Sequence, residues 1–200
     1  MPQPTFVLIF GPPAVGKLTV ARALAQRTGF GHTHNHVAIE AALSLFEFDT
    51  EEFRRLVFHL RCDIYSAAAA SELPGMIGTF VWNFASSRSK EIVHSWCNIF
   101  RQHGWRIVFV ELKAELETRL QRNRSPDRAL GKVSKVDPEI SEAILLANER
   151  DWVMVAPEGF VMVPPADQCI SLVTDSLKPE VVANRILRDA RLPERLLASS

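Results

Sequence analysis

Apolar and polar positions follow one another in blocks that predict strands alternating with helices. Consecutive apolar residues, typical of strands buried on both faces, occur at 5–10, 76–82, 105–112 and 168–173. Apolar residues at helical spacing predict helices at about 16–27, 36–45, 51–73, 89–103, 114–121, 138–153 and 178–191. Because the two kinds of block alternate, we expect an α/β fold whose parallel sheet is covered by helices on both faces.

A polar segment, His32-Thr33-His34-Asn35-His36, follows the first predicted helix. If the segment is extended, alternate residues share a face, so that the three histidines could point the same way. Three such imidazoles could bind a transition metal. We favour hydrogen-bonded histidines in a pocket or core, and predict no metal site, because no further cluster of Cys, Asp or His completes one.

The most informative stretch joins the first strand to the first helix and reads Gly11-Pro12-Pro13-Ala14-Val15-Gly16-Lys17-Leu18-Thr19. The two glycines allow backbone angles and close approaches that a side chain would block. The N–H groups of such a loop converge on an anion at the positive end of the following helix, and Lys17 adds a mobile cation. The stretch therefore predicts a phosphate-binding loop.

The alternative for this stretch is a strand–turn–helix in which the glycines serve geometry alone. The apolar strand, the glycine spacing, the lysine and the helical pattern all agree, which favours nucleotide binding. One position departs from the usual pattern. Leu18 stands where a Ser or Thr hydroxyl normally binds Mg²⁺, and Thr19 comes one place later.

Composition narrows the class of protein. The 200 residues suit one domain, 1–200, and the 23 basic residues balance the 23 acidic ones, so no global field favours nucleic acid. Three cysteines, odd in number and far apart, predict reduced thiols in a cytoplasmic protein. No segment has the length of a membrane span and no leader peptide is evident, so we expect no membrane partner.

The loop at residues 11–19 resembles that of the small P-loop kinases, which include adenylate, shikimate and gluconate kinases and chloramphenicol phosphotransferases. Adenylate kinases also place a non-hydroxyl residue after the lysine and a threonine next. The resemblance implies a P-loop NTPase fold with a five-stranded parallel sheet and implies ATP bound by residues 11–19. In such a site Mg²⁺ is held more by phosphates, water and acidic residues than by the loop.

A second resemblance lies in His34-Asn35-His36-Val37-Ala38-Ile39-Glu40, which is similar to the Asp-x-Asp-x-x-Ile-Glu stretch of shikimate kinases with both aspartates replaced by histidine. It implies that residues 34–36 bind the acceptor, with His36 facing the acceptor hydroxyl and His34 nearer the phosphate. A neutral imidazole can take a proton from a hydroxyl.

A third resemblance covers the basic segment 120–128, where these kinases carry an adenine-stacking arginine and then lid arginines. It implies that Arg122 stacks on the base and that Arg124 or Arg128 reaches the transferring phosphate, where a cation stabilises the developing charge. Residues 123–137 are polar, basic and interrupted by proline and glycine, which predicts a mobile lid. Arg119 is expected to be a solvated helix end.

The end of the third predicted strand departs from these kinases, many of which carry an acid there. The sequence has Thr79, Phe80, Trp82 and Asn83 instead. Trp82 could line an acceptor pocket, because it lies at the carboxyl end of its strand, or it could belong to the core. Glu40 and Asp63 are acids that could replace the missing one only if the fold brings them close.

Together these patterns predict an ATP- and Mg²⁺-dependent phosphotransferase that acts on a hydroxyl or a nucleotide phosphate of a small molecule. We expect a monomer or a homodimer. A nucleotide-binding regulator, or a slow NTPase without kinase turnover, is the alternative that Leu18 and the missing acid favour.

Overall fold

The computed structural model describes residues 3–125, 138–160 and 166–195. The strands are β1 (Thr5–Phe10), β2 (Gly31–Thr33), β3 (Gly75–Phe80), β4 (Arg106–Lys113) and β5 (Gln168–Val173). The helices are α1 (Lys17–Thr28), α2 (Asn35–Leu43), α3 (Glu51–Ala69), α4 (Ser87–Gln102), α5 (Leu116–Arg124), α6 (Pro138–Asp151) and α7 (Pro179–Asp189).

All five strands are parallel and lie in the order β2-β3-β1-β4-β5. The fold class predicted from the sequence, a five-stranded parallel α/β sheet, is confirmed. β1 occupies the centre, and all six of its residues are buried. The loop that follows it therefore emerges at the carboxyl end of the sheet, where ligands bind in open parallel sheets.

Alternate residues of β1 face two separate cores. Val7 and Ile9 belong to the core that β1 shares with α1 and α7, whereas the aromatic and leucine residues at 6, 8 and 10 face α3 and α4. The second core is rich in aromatic pairs, among them Phe6 stacked on Phe100 at 4.0 Å between ring centroids. Burial of both faces explains why β1 reads as a continuous apolar run.

Two element ends fall short of their predicted positions for local reasons. α3 ends at Ala69 and not near 73, because the Ser71 hydroxyl donates to the carbonyl of Ala68 and accepts from the Leu73 N–H, which replaces helical bonds. β3 ends at Phe80 and not at 82, because Phe80 pairs with Phe10, the last residue of the neighbouring strand.

The histidine segment is not one extended piece. β2 pairs only residues 31–33 with β3, and α2 begins at Asn35, with His34 in an extended conformation (φ −118°, ψ 156°) just before it. His36 therefore lies in the first turn of a helix. The expectation that three histidines share the face of a strand is wrong for this reason.

None of the helices in the described part of the chain is both long and apolar enough to cross a bilayer.

Candidate active site

The loop between β1 and α1 has the backbone geometry of a tight anion cradle. Gly11 has φ 143°, and a Cβ there would lie 2.2 Å from the carbonyl oxygen of Leu112 in β4, so only glycine fits. Gly16, directly before α1, has φ 102°, and Ala14 is held at φ 64°, a region that few non-glycine residues adopt. Such strain is typical of binding loops held in place by their surroundings.

Lys17, the first residue of α1, folds back over this loop. Its Nζ donates to the carbonyl oxygens of Gly11 (2.8 Å) and Pro12 (2.7 Å). The ammonium group thus lies beside the loop, at the positive end of α1, where unpaired N–H groups and the helix dipole favour an anion. A phosphate entering the loop would exchange these carbonyls for charged oxygens, which are stronger acceptors.

A cavity of about 320 Å³ opens above Lys17. The side of the cavity formed by the loop and α1 consists of residues 14–20 and Arg22. The remaining lining residues come from four other parts of the fold, and they are His34, Asn35, His36, Thr79, Arg122, Ser125, Thr174, Leu177, Pro179 and Val182. Most residues predicted for the nucleotide and the acceptor therefore meet in one place. Gly11, Pro12 and Pro13, the first residues of the loop, are buried and do not line the cavity.

The two histidines at the cavity lie on either side of the start of α2. His36 is buried, with 8% of its surface exposed, and its ring centroid lies 6.1 Å from that of His34. His32 instead lines a shallow groove on the β2 side of the sheet. Burial and then the charge of Arg22 lower the pKa of His32 below its ordinary value.

Arg122 also lines the cavity and joins α5 to two loops. Its guanidinium donates to the carbonyl of Val15 (3.2 Å), to the Thr174 hydroxyl (3.2 Å) and to the carbonyl of Asp175 (3.1 Å). The planar fork suits several acceptors at once and fixes the side chain between the phosphate loop and the β5–α7 loop. The contact of Arg122 with a nucleotide base stays a prediction.

The β5–α7 loop is held by a second contact to α5. The carboxylate of Asp175 accepts from the Glu115 N–H at 2.9 Å. Its pKa lies below the usual range, chiefly because the side chain of Thr118 donates to it and secondly because the Glu115 N–H does. The loop opposite the phosphate cradle is therefore positioned by the start of α5.

The two other arginines of α5 do not reach the cavity. Arg124 is 61% exposed at the side chain, and both its Nε and Nη2 lie 2.9 Å from the carboxylate of Glu142 in α6, which lowers the pKa of Glu142. Arg119 is 3% exposed and donates to Glu149 at 2.7 Å and to the carbonyl of Ala114 at 3.1 Å. The expectation that Arg119 is a solvated helix end is wrong, because α6 supplies a carboxylate to a buried guanidinium. Arg128, with residues 126–137 of the predicted lid, lies outside the described residues.

Trp82 does not line the cavity. It is fully buried, stacks on Phe84 at 4.9 Å between ring centroids and meets Phe10 edge-on at 5.3 Å. The prediction that Trp82 binds the acceptor is corrected accordingly. The core interpretation, which the sequence had left open, describes its position.

Sequence reasoning gave no role to several lining residues, namely Arg22, Ser125, Leu177, Pro179 and Val182. It had placed Thr79 at the carboxyl end of its strand, and Thr174 after the last strand as a base contact or a helix cap. For Arg22 a signal existed, since it lies four residues after Leu18 and therefore on the same face of α1. Thr79 is buried at the end of β3, next to the strand that carries the loop. The order of the strands in a parallel sheet cannot be read from the sequence, so it was not known that β3 lies beside β1.

Within the described chain, no Asp or Glu lines the cavity, and no group of three or more His, Cys, Asp or Glu could hold a metal ion. Glu40 and Asp63 lie outside the lining residues. Since Mg²⁺ prefers carboxylate, phosphate and water oxygens, these residues do not form a protein cage for it. A polyphosphate bound at the loop would therefore have to bring Mg²⁺ to this site on its own oxygens.

No family model and no curated protein matches the chain. Solved structures do match it. The APS kinase of Mycobacterium tuberculosis, in complex with AMPPNP and APS, is 11% identical with a TM-score of 0.60 over 96% of this chain and 99% of that one. A sugar kinase from Janibacter sp. is 17% identical (TM-score 0.58, 94% and 95% covered). The shikimate kinase of Acinetobacter baumannii, in complex with shikimate, is 18% identical (TM-score 0.56, 94% and 93% covered). The chain therefore has the fold of the small P-loop kinases.

Proposed function

We propose that this protein transfers the γ-phosphate of ATP to a small-molecule acceptor. The observation that supports it best is the shared cavity. Lys17, whose ammonium lies at the phosphate loop, lines the same cavity as His36. A donor phosphate and an acceptor could thus lie side by side in one cavity, which is the arrangement that phosphoryl transfer needs.

On the nucleotide side, the loop amides and Lys17 would bind the β- and γ-phosphates. Arg122 would form the wall against which the base packs, held by its bonds to Val15 and Thr174. Mg²⁺ bound to the phosphates would neutralise part of their charge. The fold analogues with kinase names support this division, and one of them was solved with an ATP analogue.

On the acceptor side, His36 would orient and deprotonate a hydroxyl. The acceptor oxygen would attack the γ-phosphorus. The bond between the γ-phosphorus and the oxygen that bridges it to the β-phosphate would break, and the hydroxyl proton would pass to the neutral imidazole. If the acceptor group is itself a phosphate, it needs no base, and the cations around the cavity carry more of the catalysis. Both acceptor groups fit a cavity that His36 and Thr79 line.

A nucleotide-binding regulator or slow NTPase is the second candidate. It is favoured by Leu18 at the position of the usual hydroxyl ligand and by the cavity's lack of a carboxylate within the described residues. Without a protein-held Mg²⁺, turnover could be slow.

Incubation with γ-labelled ATP and pooled metabolites, with and without Mg²⁺, separates the two. We expect Mg²⁺-dependent label in an organic acceptor, lost in Lys17→Ala and kept in Lys90→Ala, an exposed lysine on α4 outside the cavity. Label released only as inorganic phosphate would indicate an NTPase. Tight ATP binding with no label transferred or released would indicate a regulator, and either result rejects the kinase.

A further inference from the structure

We propose that the acceptor carries a negatively charged group of its own, a phosphate or a carboxylate, which Arg22 binds at the α2 side of the cavity. This inference rests on the proposed function, since it names the chemical class of that function's second substrate. Three observations carry it: the charge of the lining, the position of Arg22, and a buried guanidinium directly behind Thr79.

The lining is strongly one-sided in charge. Within the described chain it contains the cations of Lys17, Arg22 and Arg122 and no carboxylate. Low-dielectric walls that carry one sign of charge focus the potential inside a cleft. A cationic acceptor would meet this field unfavourably, whereas an anionic one would be attracted.

The nucleotide does not account for Arg22. Lys17 and the loop amides serve the phosphates, and the guanidinium of Arg122 is occupied by main-chain carbonyls and a hydroxyl. Arg22 lies five residues after Lys17, about 7.5 Å further along the axis of α1. It forms no ion pair within the described residues.

Arg22 lies on the acceptor side of the cavity by its place in the fold. It belongs to α1, which packs against β2 and β3, and it lines the same cavity as His34 and His36, which follow β2, and Thr79 of β3. Arg122, by contrast, is bonded to the loop after β5, and β5 and β2 are the opposite edges of the sheet. An anion bound at Arg22 would lie on the acceptor side and not along the triphosphate.

A second cation lies behind the same side of the cavity. Arg61 of α3 is only 5% exposed, donates to the Thr79 carbonyl (2.9 Å) and to the Tyr65 hydroxyl (2.8 Å), and lies 4.0 Å from the centroid of the Trp96 ring. Its Nε has no hydrogen-bond partner, and no carboxylate pairs with it, in the described chain. Thr79, which it holds, lines the cavity.

A buried guanidinium without a counter-ion costs free energy that an ion pair would offset. Its charge is poorly screened in such surroundings and extends into the adjoining cavity. An anionic acceptor beside Thr79 would supply the compensation that the described protein does not. Arg61 is thus a positioning residue that acts through Thr79, and Arg22 is the direct contact.

The test is calorimetric titration of protein saturated with AMPPNP, a non-hydrolysable ATP analogue, and Mg²⁺, so that the phosphate loop is filled. The probes are ribose 5-phosphate, gluconate and neutral ribitol, which separate phosphate, carboxylate and uncharged acceptors. We expect one or both anions to bind and ribitol not to bind. Arg22→Gln should weaken the affinity for the anion about ten-fold or more. Arg185→Gln, an exposed arginine on α7 outside the cavity, is the matched control and should change nothing.

The inference is overturned if ribitol binds as tightly as the anions, if Arg22→Gln leaves anion affinity unchanged, or if AMPPNP binds but neither anion does. Those outcomes leave the proposed kinase intact. If AMPPNP itself fails to bind, the proposed function fails, and this inference fails with it. Arg61→Lys, which keeps the charge, should retain more anion affinity than Arg61→Met at equal thermal stability; equal losses in both would reject the role of Arg61.

Discussion

The guanidinium of Arg122 donates to the carbonyl of Val15 at 3.2 Å, which joins α5 to a phosphate loop 107 residues away in the sequence. The same side chain bonds Thr174 and Asp175, so that one arginine fixes three segments around the proposed base. The part of the cavity proposed for the nucleotide is therefore held in place before any ligand enters it, which lowers the ordering cost of binding.

Replacing Arg122 should show how much its hydrogen bonds contribute to nucleotide affinity. We expect Arg122→Ala to weaken AMPPNP binding about ten- to hundred-fold, because several charge-assisted hydrogen bonds are lost together. Arg122→Lys should rescue it poorly, since an ammonium cannot fork between three acceptors. Calorimetry on these variants and on Arg185→Ala measures this, and an unchanged affinity in Arg122→Ala would show that the side chain has no part in the site.

His36 should matter for transfer and little for the nucleotide. We expect His36→Ala to reduce the transfer rate about a hundred-fold or more, as general-base contributions do, with AMPPNP affinity within about three-fold of the original. His59→Ala, an exposed histidine on α3, serves as control. Steady-state kinetics beside nucleotide titration checks this prediction, and parallel losses of rate and affinity would assign His36 a structural role.

The geometry of the phosphate loop should depend on Gly11. A Cβ there would lie 2.2 Å from the Leu112 carbonyl at φ 143°, so Gly11→Ala should cost about 3 kcal/mol or more in the free energy of unfolding. Gly104 also has a positive φ (72°) but has open space around it, and Gly104→Ala should cost only about 1 kcal/mol. Denaturant unfolding compares the two; similar costs would mean that the close approach to β4 is not maintained.

His32 reports on the charge of Arg22. Its folded pKa is below the ordinary 6.5, through burial and then through Arg22, so the unfolded chain binds the proton more tightly. Stability associated with neutral His32 is therefore present above pH 6.5 and is lost as the pH falls below it. Histidine NMR titration should give a pKa under 6.5 that rises in Arg22→Gln. A pKa at or above 6.5, or one that does not move, would contradict the placement of Arg22.

The sequence was sufficient for features whose causes are local. β1, the loop and α1 were predicted because an apolar run, two glycines and a lysine lie within fifteen residues. The start of α3 has an equally local cause, because the Thr50 hydroxyl accepts from the Phe53 N–H three residues later. The division of the histidine segment was not predicted, because β2 pairs only three residues at the sheet edge and their pattern is too short to show it.

Features that depend on distant partners could not be predicted. Arg119, Arg122 and Arg124 lie on one short helix, but each side chain is positioned by a different distant partner. Arg119 bonds Glu149, Arg122 bonds Val15 and Thr174, and Arg124 bonds Glu142. Trp82 lies two residues beyond its strand, where alternation no longer tells which side is buried. The acceptor half of the cavity combines α1, α2 and β3, so its charge emerged only from the fold.

The measurement that tests the account most directly is titration of AMPPNP with Mg²⁺ into the original protein, Lys17→Ala and Lys90→Ala. We predict saturable one-to-one binding to the original protein, about fifty-fold weaker binding to Lys17→Ala, and no change in Lys90→Ala, because only Lys17 lies at the loop. Absence of binding to the original protein, or equal affinity in Lys17→Ala, would contradict the assignment of this cavity to a nucleoside triphosphate.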